Sequence, residues 1–88
     1  MIKGDVFAVG TTAVDLTANV DVDGEYMLHI QADISSALFY IGGSGLAGDA
    51  GWPVASGTES VFRLQAGTRV YGICNTGAKT VRILAYSV

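Results

Sequence analysis

This chain is poor in the residues that carry most protein chemistry: of 88 residues one is cysteine, one histidine, one tryptophan and one proline, and only 15% are charged. A single cysteine, Cys74, excludes an intrachain disulfide and a cysteine-based zinc site, and makes a reducing compartment the simpler expectation. Its place between Ile73 and Asn75 reads as a small buried apolar residue. A single histidine means that a Ser-His-Asp triad would have to be built on His29, whose same-face neighbours Met27 and Gln31 supply neither acid nor nucleophile. An enzyme of the small-barrel type would need a pocket gathering His29 with at least two of the eight acids, so the chain reads as no enzyme and needs no cofactor. The five basic residues, Lys3, Arg63, Arg69, Lys79 and Arg82, are scattered in a chain of net charge -3, which argues against nucleic acid as a partner.

Long apolar runs are missing too. No stretch approaches the ~20 residues of a membrane span, so no membrane is expected as a partner. The opening MIKGDVFAVG is broken by Gly4, Asp5 and Gly10 and lacks the apolar region of a signal peptide, so the protein is expected to be made, and kept or assembled, in a cytoplasm. Helical periodicity is absent as well.

What is present is short alternation between turn residues, and half of the residues are hydrophobic. Strands are expected at Asp5 to Val9, Thr12 to Thr17, Glu25 to Gln31, Ala37 to Gly42, Ser60 to Gln65, Arg69 to Cys74 and Thr80 to Tyr86. The length suits one domain spanning residues 1–88. About seven strands at this spacing give an all-β fold, a small antiparallel β-sandwich of jelly-roll-like kind or a barrel.

Alternation assigns the faces. Tyr26, Leu28, Ile30 and Ala32 share one side and should be core, with Phe62 and Leu64 repeating the pattern. In the last strand Val81, Ile83 and Ala85 oppose Leu84, Tyr86 and Val88, and in an earlier one Leu38 and Tyr40 oppose Phe39 and Ile41. Both strands read as covered on two sides, which a two-layer fold of this size cannot provide alone. Phe39, Ile41, Leu84, Tyr86 and Val88 are therefore the expected interface of a homo-oligomer.

Turn chemistry suggests connections. Ala66-Gly67-Thr68 is short enough to join two antiparallel strands, so Ser60 to Gln65 and Arg69 to Cys74 are expected to form a hairpin. With a reversal at Asn75 to Ala78, the last three strands would form a meander. The Gly-rich stretch Gly42 to Thr58 reads as a long loop, with Gly43, Ser44, Trp52 and Pro53 as candidates to meet a partner or ligand. Trp52 there could stack on a sugar, which makes a carbohydrate or receptor-binding module the alternative function. Asn19 to Glu25 matches the first half of a calcium loop, but Ile30 falls where the bidentate acid belongs, so solvated acids are the preferred reading. A looser cation site from Asp21, Asp23 and Asp49 stays open. Gly42-Gly43-Ser44-Gly45 has neither the helix nor the lysine that a phosphate loop requires.

The order of pieces resembles a known class. TTAVDLTA (11–18), MLHIQA (27–32), LFYIGGSG (38–45), GWPVASGTESVFRLQAGTRVYGI (51–73) and VRILAYSV (81–88) together cover nearly the whole chain. They look like the small all-β virion proteins of tailed bacteriophages, of the head-decoration or capsid-fibre type. The resemblance implies a β-sandwich, a structural role in stabilising or decorating the capsid, a homotrimer, contact with the major capsid protein, and location in the virion after assembly in the host cytoplasm.

Overall fold

The computed structural model describes residues 2–21, 24–33, 38–43, 45–46, 51–55 and 57–88. Eight strands are formed: β1 (Ile2–Val9), β2 (Val14–Asp15), β3 (Tyr26–Ala32), β4 (Phe39–Gly42), β5 (Trp52–Val54), β6 (Glu59–Leu64), β7 (Tyr71–Cys74) and β8 (Lys79–Ser87). Expected Ala37 and Ser44, together with Asp23 and Asp49, lie outside the described residues.

Pairing follows a simple rule. β1 pairs with β8, β2 with β7, β3 with β6 and β4 with β5, all antiparallel, as in a chain folded back on itself at its middle. Two further ladders, β3 with β8 and β4 with β7, roll this double ribbon into two sheets of order β1-β8-β3-β6 and β2-β7-β4-β5. That is the jelly-roll arrangement. No ladder among the described residues joins one sheet to the other, so the fold is a sandwich and not a closed barrel.

The alternation places the core as expected. Tyr26, Leu28, Ile30 and Ala32 are buried against Val81, Ile83 and Ala85 in one sheet, and face Phe39, Ile41, Val54 and Cys74 of the other. Period-two side chains make this possible, since each strand commits one face to the gap between the sheets.

The expected hairpin and meander are not formed. β6 pairs with β3 while β7 pairs with β2 and β4, and β8 returns to the first sheet. A tight turn does stand where the sequence puts it: Gly67 takes a φ of 82°, and Thr68 N–H donates to Gln65 O at 3.1 Å. Beyond it, Arg69 and Val70 carry the chain across the sandwich before pairing resumes at Tyr71. Crossing buries the inward faces of β6 and β7 against opposite sheets; a hairpin would have put both on one.

Two elements differ from expectation for local reasons. The stretch Thr12 to Thr17 pairs only at Val14 and Asp15, because the Asp15 carboxylate accepts from both the Thr17 N–H (2.9 Å) and the Thr17 hydroxyl (2.6 Å) and turns the chain out of the ladder. Trp52–Val54 is a strand where a loop is expected. Pro53 sits opposite Tyr40 on the edge of its sheet, where a missing N–H costs no ladder bond.

Candidate functional site

Two surfaces stand out, and both follow from how the strands are placed. The first is the outer face of the β1-β8-β3-β6 sheet. Its registers set three rows across the strands: Ile2, Tyr86, Met27 and Arg63; Gly4, Leu84, His29 and Val61; Val6, Arg82, Gln31 and Glu59. Ile2 (79%), Val6 (58%), Val61 (45%) and Leu84 (41%) are open to solvent on this one face, with Tyr86 and Met27 half-buried between them. Four exposed apolar side chains gathered on one sheet face, interleaved with Arg63, Arg82, Gln31 and Glu59, offer a surface for association. Val88, exposed beyond the end of β8, is tied by its N–H to Glu25 O at 3.2 Å.

Of the residues expected at an interface, the structure brings Leu84 and Tyr86 to this face and sets Val88 next to it. Phe39 and Ile41 do not join them. Both point between the sheets and are buried in the core, so they are packing residues of the single chain and not part of this outer face. Leu38, the neighbour on the opposite side of that strand, is the exposed one. β8 is likewise covered on one side only within the chain: Val81, Ile83 and Ala85 are buried, whereas Arg82 and Leu84 are exposed.

His29 sits at the centre of the face. Its Nδ1 lies 3.2 Å from Glu59 Oε2 and its Nε2 2.9 Å from the Tyr86 hydroxyl, with the two rings tilted at 37°. A carboxylate only accepts, so Nδ1–H donates to Glu59 and Nε2 accepts from Tyr86 in the neutral ring. His29 thus staples β3 to both of its neighbours. Sequence spacing alone could not reveal this, because Glu59 and Tyr86 reach His29 diagonally from other strands. Among the acids of the described residues, the one placed against His29 is Glu59. On the same side Arg63 pairs with Glu25, whose carboxyl is held below its ordinary value chiefly by the Arg63 guanidinium. Asp5, on the opposite side of β1, is lowered by the Asn19 side-chain amide at 2.6 Å.

The second surface is a groove of about 240 Å³ where the edge strands β5 and β6 meet, lined by Ile41, Gly42, Trp52, Phe62, Leu64, Arg69 and Val70. It exists because the sheets end unevenly. Phe62 and Leu64 face inward yet stay half-buried, and Trp52, on the inward side of β5, is exposed. Trp52 and Pro53 are therefore edge-strand residues and not loop residues; Gly43 is an exposed bend after β4, and Ser44 lies outside the described residues. Next to the groove a smaller polar hollow of about 100 Å³ is lined by Val20, Asp21, Tyr26, Gly67, Thr68 and Arg69. There Tyr26 OH donates to Thr68 O at 2.6 Å and burial raises the phenol above its ordinary value.

No group of three or more His, Cys, Asp or Glu side chains that could hold a metal ion occurs among the described residues. Asp21 is exposed on the hollow, apart from the cluster a cation would need. Cys74 is buried, its Sγ donating to Val9 O at 3.3 Å, and burial pushes the thiol above its ordinary range. No described helix is long and apolar enough to cross a membrane.

The class defined by these strands is the jelly-roll β-sandwich. Among known proteins, no family model and no curated sequence matches the chain. The fold is similar to that of a solved protein chain from Bacillus endospore appendages, described as a novel family of disulfide-linked pili. The TM-score is 0.57 at 19% identity, over 99% of this chain and 88% of that one. At such identity the likeness concerns the fold.

Proposed function

We propose that this protein is a structural subunit that associates with copies of itself through the outer face of the β1-β8-β3-β6 sheet. The observation that carries this reading is the row pattern on that face, where Ile2, Val6, Val61 and Leu84 are exposed together around half-buried Tyr86 and Met27. Burying such area upon association is favourable at about 25 cal/mol per Å², before the costs of ordering. The protein of similar fold comes from endospore appendages described as disulfide-linked pili, which supports an assembly role. Its disulfide linkage does not carry over, because the one cysteine of this sequence is buried in the core.

The resemblance in sequence points to a more particular form of the same role: a virion protein of a tailed bacteriophage that decorates or stabilises the capsid as a homotrimer against the major capsid protein. The carbohydrate-binding alternative draws on the exposed indole of Trp52, but the groove beside it is apolar apart from Arg69, whereas sugar hydroxyls require several donors and acceptors. Light scattering over a range of concentrations tests the assembly reading. The wild-type chain is expected to form a closed oligomer, with Leu84→Asp reducing it to single chains and lowering the melting temperature, because association stabilises the folded chain by mass action. A wild-type chain that stays single at high concentration, or a Leu84→Asp chain of unchanged mass, would sink it.

A further inference from the structure

The groove between β5 and β6 is an uncovered stretch of core whose size and charge select a ligand. Ile41, Phe62, Leu64 and Val70 make an apolar floor, and the indole of Trp52 lines one side. Its volume of about 240 Å³ exceeds the ~150 Å³ of an apolar cavity that takes up benzene, and falls short of the ~300 Å³ at which drug-sized sites begin. One ring or a short acyl chain is the size class that fits. Water over such a floor finds few partners, so its displacement by an apolar body is favourable.

Arg69 is the one charged residue of the lining. Its Nη1 donates to Thr17 O at 2.6 Å, which anchors the guanidinium, and Thr17 is itself buried and held by Asp15. A guanidinium carries five N–H donors, and among the described residues Arg69 forms no ion pair. Arg69 borders both the groove and the polar hollow of Tyr26 and Asp21, and an anchored positive charge with spare donors at that junction is pre-organised for a carboxylate. A cationic head would be repelled, and a neutral one would leave the charge uncompensated.

We propose that this groove binds a small amphiphilic carboxylate, an aryl or short acyl acid whose body lies against Trp52, Phe62 and Leu64 and whose carboxylate meets Arg69. The groove is distinct from the outer sheet face, so this site stands or falls separately from self-association.

Trp52 is the only tryptophan, so its emission reports on the groove directly. Titration with 3-phenylpropionate and with hexanoate is expected to give a saturable blue shift, with hexylamine giving none. Arg69→Gln, checked for folding by circular dichroism, should weaken both acids about tenfold, while Arg69→Lys, which keeps the charge, should retain binding within a few-fold. Amide shifts in nuclear magnetic resonance spectra should centre on Gly42 and Val70. The proposal is overturned by the absence of a saturable change at millimolar acid, by hexylamine binding as well as hexanoate, by unchanged affinity in a folded Arg69→Gln, or by amide shifts that lie elsewhere.

Discussion

Trp52 lies directly opposite Ile41 in the β4–β5 ladder, on the same inward side of the sheet, yet Ile41 is 6% exposed and Trp52 is 72% exposed. Facing the core is thus not the same as being covered by it. Strand β6 ends the opposing sheet, and beyond it no strand of the described chain remains to close over the indole.

The contrast predicts unequal mutational costs along one ladder. Ile41→Ala should lose about 2–5 kcal/mol, the range for deleting a buried branched side chain. Trp52→Ala, although it removes far more atoms, should cost under about 1 kcal/mol, since little of the indole is withdrawn from water. Urea unfolding of the two variants checks this, and equal losses would show that Trp52 is covered in solution.

Gly72 faces the core in β7, and a Cβ added there would come within 2.7 Å of the Phe39 ring and 3.1 Å of Leu16 Cδ1. Both neighbours are fully buried and have nowhere to move. Gly72→Ala should therefore destabilise by roughly 1–3 kcal/mol, as overpacking does. Combining it with Phe39→Leu should recover part of the loss, because the smaller side chain vacates the space. A double variant no more stable than the sum of the single ones would remove this account.

The strands and their inward faces were legible because alternation is a local property. Tyr26, Leu28 and Ile30 sit two residues apart, and only one set of them can be buried. Strand partnership was not legible at Gln65 to Thr68, because a tight turn there suits a hairpin and a sheet crossing equally well; the choice is made by whether both inward faces find an opposing layer. β5 was masked by Pro53, whose exclusion from strands lapses at an edge. At the interface, the odd-even pattern correctly separated Phe39 and Ile41 from Leu38 and Tyr40, but not which pair the core would take. The groove had no sequence signal, since Trp52, Phe62 and Arg69 come from separate elements and meet only through the uneven sheet edge.

Alkaline pH should destabilise the fold. Burial holds the Cys74 thiol above its ordinary value of 9.0 and the Tyr26 hydroxyl above 10.0. Unfolding lets both ionise at their ordinary values, so above them the unfolded chain sheds protons that the folded chain keeps. Stability is thus fully present below about pH 9 and declines as the pH climbs through the raised values, by at most ~1.4 kcal/mol per pH unit for each group. Denaturant midpoints measured from pH 7 to 10.5 should fall, and Cys74→Ala should show a shallower decline above pH 9. A flat profile would mean that neither group is buried in solution.

His29 gives a way to vary the apolar face without breaking the core. It shares its row with Leu84 and Val61, and its polar ring is satisfied by Glu59 and Tyr86. His29→Leu removes those two contacts, at a cost of about 1 kcal/mol each to the single chain. It also completes an apolar row and removes a polar ring that association would have to desolvate. Self-association through this face should therefore tighten several-fold while the melting temperature of the single chain falls. His29→Asp should do the reverse for association, because its charge would lie next to Glu59 and be buried unpaired at the contact. Sedimentation velocity on both variants reads the association, and thermal unfolding at low concentration reads the fold. If both variants associate as the wild type does, His29 is remote from the contact, and the interface must be sought on a different surface of the sandwich.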